Sequence, residues 1–122
     1  KSPYQKDIIL TGRVSFEVLR HLYQGARMFV FPSLYEGFGL PLLEAFASSV
    51  PVLTAGNSSL VEVAGRAALY VNAHSVTDIA EKMERLWDDE ELRAELIVRG
   101  KTELARFSWE KCAKETLEYI MS

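Results

Sequence analysis

Four short apolar runs, at residues 8–12, 28–32, 50–54 and 68–71, recur along the first part of the chain, and helical patterns at 15–26, 40–49 and 59–64 separate them. A run that is apolar at nearly every position has no side to offer to water. Such strands, alternating with helices, are expected to pair in parallel, with helices covering both faces of the sheet. The expected fold class is therefore α/β: a Rossmann-like parallel sheet with flanking helices over residues 1–74. Beyond that the alternation stops. Residues 75–122 read as three amphipathic helices, with apolar faces built from Ile79, Met83 and Leu86, from Leu92 and Leu96, and from Cys112, Ala113, Leu117 and Ile120. Ser75 and Ser108 stand where N-caps are needed, and Gly100 marks either a break or a close helix contact.

With 122 residues, 48% of them apolar, the chain can bury one real core and no second one. Its 14 basic and 17 acidic residues form no basic stripe, which argues against a nucleic-acid partner. Cys112 is the only cysteine, so no intrachain disulfide can form, and no charged-then-apolar leader opens the chain; a cytoplasmic setting is expected. No run approaches the roughly 18 apolar residues that a membrane span requires, so any membrane contact would be peripheral. His21 and His74 lack a second ligand at metal-binding spacing, and no metal is expected. Trp87 and Trp109 are expected to pack in the core or against another domain.

The charges are unevenly spread. Residues 75–122 carry 8 basic and 12 acidic side chains, as solvated helix faces do, whereas residues 28–61 carry only Glu36 and Glu44. Glu36 falls where a buried strand ends and a helix begins, the place where ligands bind in open parallel sheets. Gly37 and Gly39 lack Cβ atoms, so backbone N–H groups can approach a ligand closely, and the helix start behind them favours an anion such as a diphosphate. Pro41 near the first helical turn sacrifices no helical hydrogen bond. Glu44 lies one turn inside that helix. Its carboxylate could lean back toward the loop and hold the two hydroxyls of a ribose, or could instead form with Ser48 the thin solvated stripe of a buried helix.

The stretch Phe31-Pro32-Ser33-Leu34-Tyr35-Glu36-Gly37-Phe38-Gly39-Leu40-Pro41-Leu42-Leu43-Glu44-Ala45-Phe46-Ala47-Ser48 closely resembles the E-x7-E signature of the glycosyl transferases group 1, family 4 of the sequence-based classification. Leu10-Thr11-Gly12-Arg13-Val14-Ser15, Pro51-Val52-Leu53, residues 58–65, Ala67-Ala68-Leu69 and Arg106-Phe107-Ser108-Trp109 are similar to successive blocks of the same family. The resemblance implies the C-terminal, donor-binding half of a GT-B fold and a retaining transfer from a UDP-, GDP- or ADP-sugar without a required metal. Glu36 would then bond hydroxyls of the donor sugar. Backbone amides of Gly37, Phe38, Gly39 and Leu40 would line the sugar and distal phosphate, Glu44 would hold the ribose, and the turn Arg13-Val14 would lie against the base.

Two departures from the family pattern stand out. Ser49 occupies a position where members commonly have glycine, and Val61 one where many have proline. The resemblance also implies that the family's preceding strands, its phosphate-binding Arg and Lys and its acceptor-binding N-terminal domain are not in this chain. On that basis the chain alone is expected to be inactive. Residues 8–12 are expected either to move beside the strand at 28–32 or to pair with a second chain as a dimer. The competing readings are an inactive nucleotide-sugar-binding or scaffolding domain of the same fold and a dinucleotide enzyme. The lack of a Gly-x-Gly-x-x-Gly after a first strand argues against the latter.

Overall fold

The computed structural model describes residues 3–33, 40–107, 118 and 120. After a single 3-10 turn at Gln5–Asp7, its elements run α1 (Phe16–Gly25), β1 (Phe29–Phe31), α2 (Leu40–Ala47), β2 (Val52–Ala55), α3 (Ser58–Ala64), β3 (Ala68–Val71), α4 (Val76–Asp88) and α5 (Glu90–Ala105). The strands form one parallel sheet in the order β1-β2-β3, with Phe29 opposite Val52 and Val52 opposite Ala68. The expected α/β class is what the structure adopts.

Alternation along the strands divides the core in two. Val52 and Ala68 pack with Leu42, Phe46, Leu60 and Val63 of α2 and α3, and Ala55, at the end of β2, joins the same cluster. Leu53 and Val71 pack with Leu86 of α4 and Leu96 of α5 on a second cluster. A sheet covered on both faces has no use for polar alternation, and all four residues of β2 are buried. The faces expected for α4 and α5 are seen: Leu86 and Leu96 are buried and Ile79 and Leu92 pack against them, while Met83 lies at the rim, 38% exposed.

Caps set the helix boundaries. The side chains of Ser15, Asn57, Ser75 and Asp89 accept hydrogen bonds from Val18, Leu60, Asp78 and Leu92 N–H at the starts of α1, α3, α4 and α5. Asp89 also closes α4, since its own N–H bonds Arg85 O at 3.0 Å. Gly100 is a contact rather than a break: a Cβ there would sit 2.9 Å from Cδ1 of the buried Phe46, so α5 crosses α2 at a distance only glycine permits.

One expectation is corrected. Residues 8–12 form no strand and do not join β1; Ile8, Ile9 and Leu10 are 56, 82 and 92% exposed. An apolar run becomes a strand only when a neighbour pairs its backbone, and among the described residues none lies beside it. Among the described residues β1 accordingly pairs on one side only, with β2. Of the two settings expected for Trp87, the core is not the one it takes: it is half exposed, with the Arg27 guanidinium stacked 4.3 Å from its ring centroid and bonded to its carbonyl at 2.8 Å. Ser108, Trp109, Cys112 and most of the third expected helix lie outside the described residues; Glu118 and Ile120 are helical.

Candidate functional site

β2 and β3 end at Ala55 and Val71, and beyond their carboxyl ends opens a recess of about 410 Å³. Gly56 and Asn57 form one wall and Asn72, Ala73 and His74 the other. This is the end of a parallel sheet at which ligands bind, because helix starts there present unpaired N–H groups. Asn57 caps α3 through its side-chain oxygen, which accepts from Leu60 N–H at 3.1 Å, and its amide nitrogen donates to Ser33 O at 3.1 Å. Thr54, fully buried in β2, donates its hydroxyl to Phe31 O at 2.8 Å. Both bonds fall on the last described residues of the chain leaving β1.

Opposite Asn57, the recess wall is built by a tight turn. Asn72 Oδ1 accepts from His74 N–H at 3.0 Å, and Asp78 from α4 accepts from Asn72 N–H at 2.7 Å. That backbone bond, together with Lys82 at 3.3 Å, holds the Asp78 carboxyl below its ordinary range. Lys82 also donates to Tyr70 O at 2.7 Å, so β3 and α4 are tied together just below the recess.

Of the residues expected to form the site, Glu36, Gly37, Phe38 and Gly39 lie outside the described residues. Leu40 opens α2. Glu44, on the same helix, is exposed and lines a cavity of about 150 Å³ together with Phe16, Leu19, Arg20 and Tyr23 of α1. The turn at Arg13 and Val14 directly precedes the Ser15 cap, with Arg13 exposed and Val14 half-buried. Phe16 thus brings the chain just after that turn to the cavity that Glu44 lines. The Tyr23 hydroxyl, 3.5 Å from Pro41 O, stands over the start of α2. Burial, and secondly the Glu44 charge, push its pKa up to about 12.

Sequence reasoning missed Asn57 and Thr54. The Asn57 cap carried a signal, an Asn just before the Ser-Ser-Leu that opens a helical pattern. The bonds to Ser33 and Phe31 carried none, because they join residues more than twenty positions apart through sheet packing.

The family model for "Glycosyl transferases group 1" matches residues 1–103. The chain belongs to the glycosyl transferases group 1. It is 42% identical over 106 residues to an O-antigen chain mannosyltransferase B of Escherichia coli, covering 87% of this chain and 28% of that protein. It is 40% identical over 109 residues to a serotype-specific mannosyltransferase of the same organism, covering 89% of this chain and 13% of that protein. A D-inositol 3-phosphate glycosyltransferase of a Nocardioides species is 34% identical over 107 residues, 86% of this chain and 23% of its own. The group 1 chain spans less than a third of the length of these relatives. Among its described residues no helix is long and apolar enough to cross a membrane.

Proposed function

We propose that this chain is the donor-binding domain of a retaining, metal-independent family 4 glycosyltransferase with the GT-B fold, and that the whole protein transfers a mannosyl group from a nucleotide-diphosphate sugar to a glycan acceptor. The observation that carries the reading is the sequence 31–48 in a group 1 chain, which begins where β1 of the parallel sheet ends, at Phe31, and runs into α2, which starts at Leu40. The mannosyl group is taken from the names of its Escherichia coli relatives. Glu36 bonds hydroxyls of the sugar; backbone N–H groups of residues 37–40 face the sugar and distal phosphate, where charge grows as the diphosphate leaves. Glu44 holds the ribose, and Arg13-Val14 lies against the base. The enzyme works in the cytoplasm, with any membrane contact and the acceptor site belonging to the rest of the protein.

The test uses the full-length protein with UDP-, GDP- and ADP-linked mannose. Glu44→Ala should chiefly raise the donor KM, while Glu36→Ala should chiefly lower kcat, because bonds to the sugar strengthen as its positive charge develops. A donor at 100 times its Kd should stabilise the protein by about 2.7 kcal/mol, read as a rise in Tm. Equal and small effects of the two substitutions in a folded enzyme would sink the assignment. Donor binding with no transfer to any glycan would make the protein a binding or scaffolding module instead.

A further inference from the structure

We infer that Asn57 and Thr54 are positioning residues of the transfer reaction, together fixing the point from which the chain enters the Glu36 segment; the inference rests on the proposed donor site. β1 is only three residues long and, among the described residues, is paired on one side. Its backbone register with β2 ends at Phe31, opposite Thr54. From there to Leu40 the chain must present Glu36 and the backbone of residues 37–39 to a ligand. Tenths of an ångström matter in such a placement, since a misplacement of about 1 Å can cost about a hundredfold in rate.

Two side-chain bonds extend the hold beyond the end of the ladder. The Thr54 hydroxyl, wholly buried, reaches Phe31 O at 2.8 Å. Asn57 reaches two residues further, to Ser33 O at 3.1 Å. Its amide cannot be turned around, because the oxygen must face Leu60 N–H and the NH2 must face the Ser33 carbonyl. One side chain therefore couples the start of α3 to the exit of β1. A helix cap alone would require only an oxygen, which Ser, Thr or Asp also supplies. The NH2 is the part that the tether needs.

The far end of the segment is fixed as well. The first and last turns of α2 are held by the Tyr23 hydroxyl at Pro41 O and by Lys101 Nζ at Ala47 O, 3.1 Å away, and Phe46 is locked against Gly100. With α2 seated by α5 and Tyr23, the Thr54 and Asn57 bonds hold the other end, at Phe31 and Ser33.

The experiment compares Asn57→Ser, Asn57→Asp, Thr54→Val and Thr54→Ser in the full-length enzyme. Asn57→Ser and Asn57→Asp keep a capping oxygen but lose the donor; Thr54→Ser keeps the hydroxyl that Thr54→Val removes. The expected result is a loss of about tenfold or more in kcat for both Asn57 variants and for Thr54→Val, with acceptor KM unchanged, Tm little moved and Thr54→Ser close to wild type. Combined with Glu36→Ala, Asn57→Ser should cost less than about twofold more, because residues that act through one unit are not additive. Unchanged kcat in Asn57→Ser and Asn57→Asp, alongside an impaired Glu36→Ala, overturns the tether and leaves the donor site standing. A full additive loss on the Glu36→Ala background also overturns it, since the effect would then be general. Wild-type turnover in Glu36→Ala itself overturns the donor-site reading.

Discussion

Gly100 shows how one missing methyl group decides a helix crossing. In a mid-helix position alanine would gain about 1 kcal/mol of propensity over glycine. Here its Cβ would meet Cδ1 and Cγ of Phe46 at 2.9 and 3.3 Å, and Phe46 is buried with no open space to turn into. Overpacking of that kind costs about 1–3 kcal/mol, so Gly100→Ala should be net destabilising by about 1 kcal/mol in urea unfolding. Placed on a Phe46→Leu background the same change should become neutral or better. The buried phenols give a second residue-level expectation. Tyr23 and Tyr70, the latter donating to Gly65 O, are both raised to about 12 by burial first and by the charges of Glu44 and Glu103 second. A phenol that keeps its proton longer in the folded state favours folding less as the medium becomes alkaline. That contribution is whole below pH 10 and lost between pH 10 and about 12. Ultraviolet titration of the folded protein should show Tyr23 and Tyr70 ionising late, with stability falling across the same window.

At the scale of elements, the end of α2 is a Schellman motif with an unusual occupant. Val50 N–H bonds Ala45 O at 3.0 Å, Ser49 N–H bonds Phe46 O at 3.2 Å, and Ser49 takes a φ of 59°. That is the position where the family commonly has glycine. A side chain in this left-handed region costs about 1–2 kcal/mol, of which glycine's greater freedom in the unfolded chain takes back about 0.4–1. Ser49→Gly should therefore stabilise by about 0.5–1 kcal/mol, raising Tm by a few degrees without changing donor affinity. In the other direction, Asp89→Ala removes the cap of α5 at its junction with α4 and should cost about 1 kcal/mol by the same urea measurement. The sequence made most of these elements legible, because a core covered on two sides imposes apolar runs of strand length and helical spacing. The strand at 28–32, for example, appears within a residue of its expected limits as Phe29–Phe31. The run at 8–12 looked no different, yet it is irregular here: apolar composition is a local property, whereas strand pairing needs a neighbour that composition does not supply. Glu36 to Gly39 stood out through the scarcity of other charges between 28 and 61, the two glycines and the family signature, and they lie outside the described residues; the link from Asn57 to Ser33 was not legible at all.

For the molecule as a whole, the side of the sheet beyond β1 is its least satisfied surface. Among the described residues β1 pairs only with β2, Ile9 and Leu10 are 82 and 92% exposed, and α1 turns Phe16 and Leu22 to solvent at 77 and 48%. Tyr23 is the one residue of α1 that is buried, and it packs 5.1 Å from Phe29 between ring centroids. Unpaired backbone next to exposed apolar side chains promotes contact with a further chain segment, and in a solution of the 122-residue chain the available segment is another copy. Sedimentation velocity over a concentration series should therefore show self-association. Replacing Ile9 and Leu10 together by Lys should suppress it while leaving Tm unchanged, since neither side chain touches the core. A monomer at every concentration would count against this account of the open edge. The same chain should bind a nucleotide sugar weakly at best and transfer none, because it spans less than a third of its relatives' length and the acceptor site is expected in the remainder. Transfer to a glycan by the purified 122-residue chain at the rate of the full-length enzyme would overturn that division of labour.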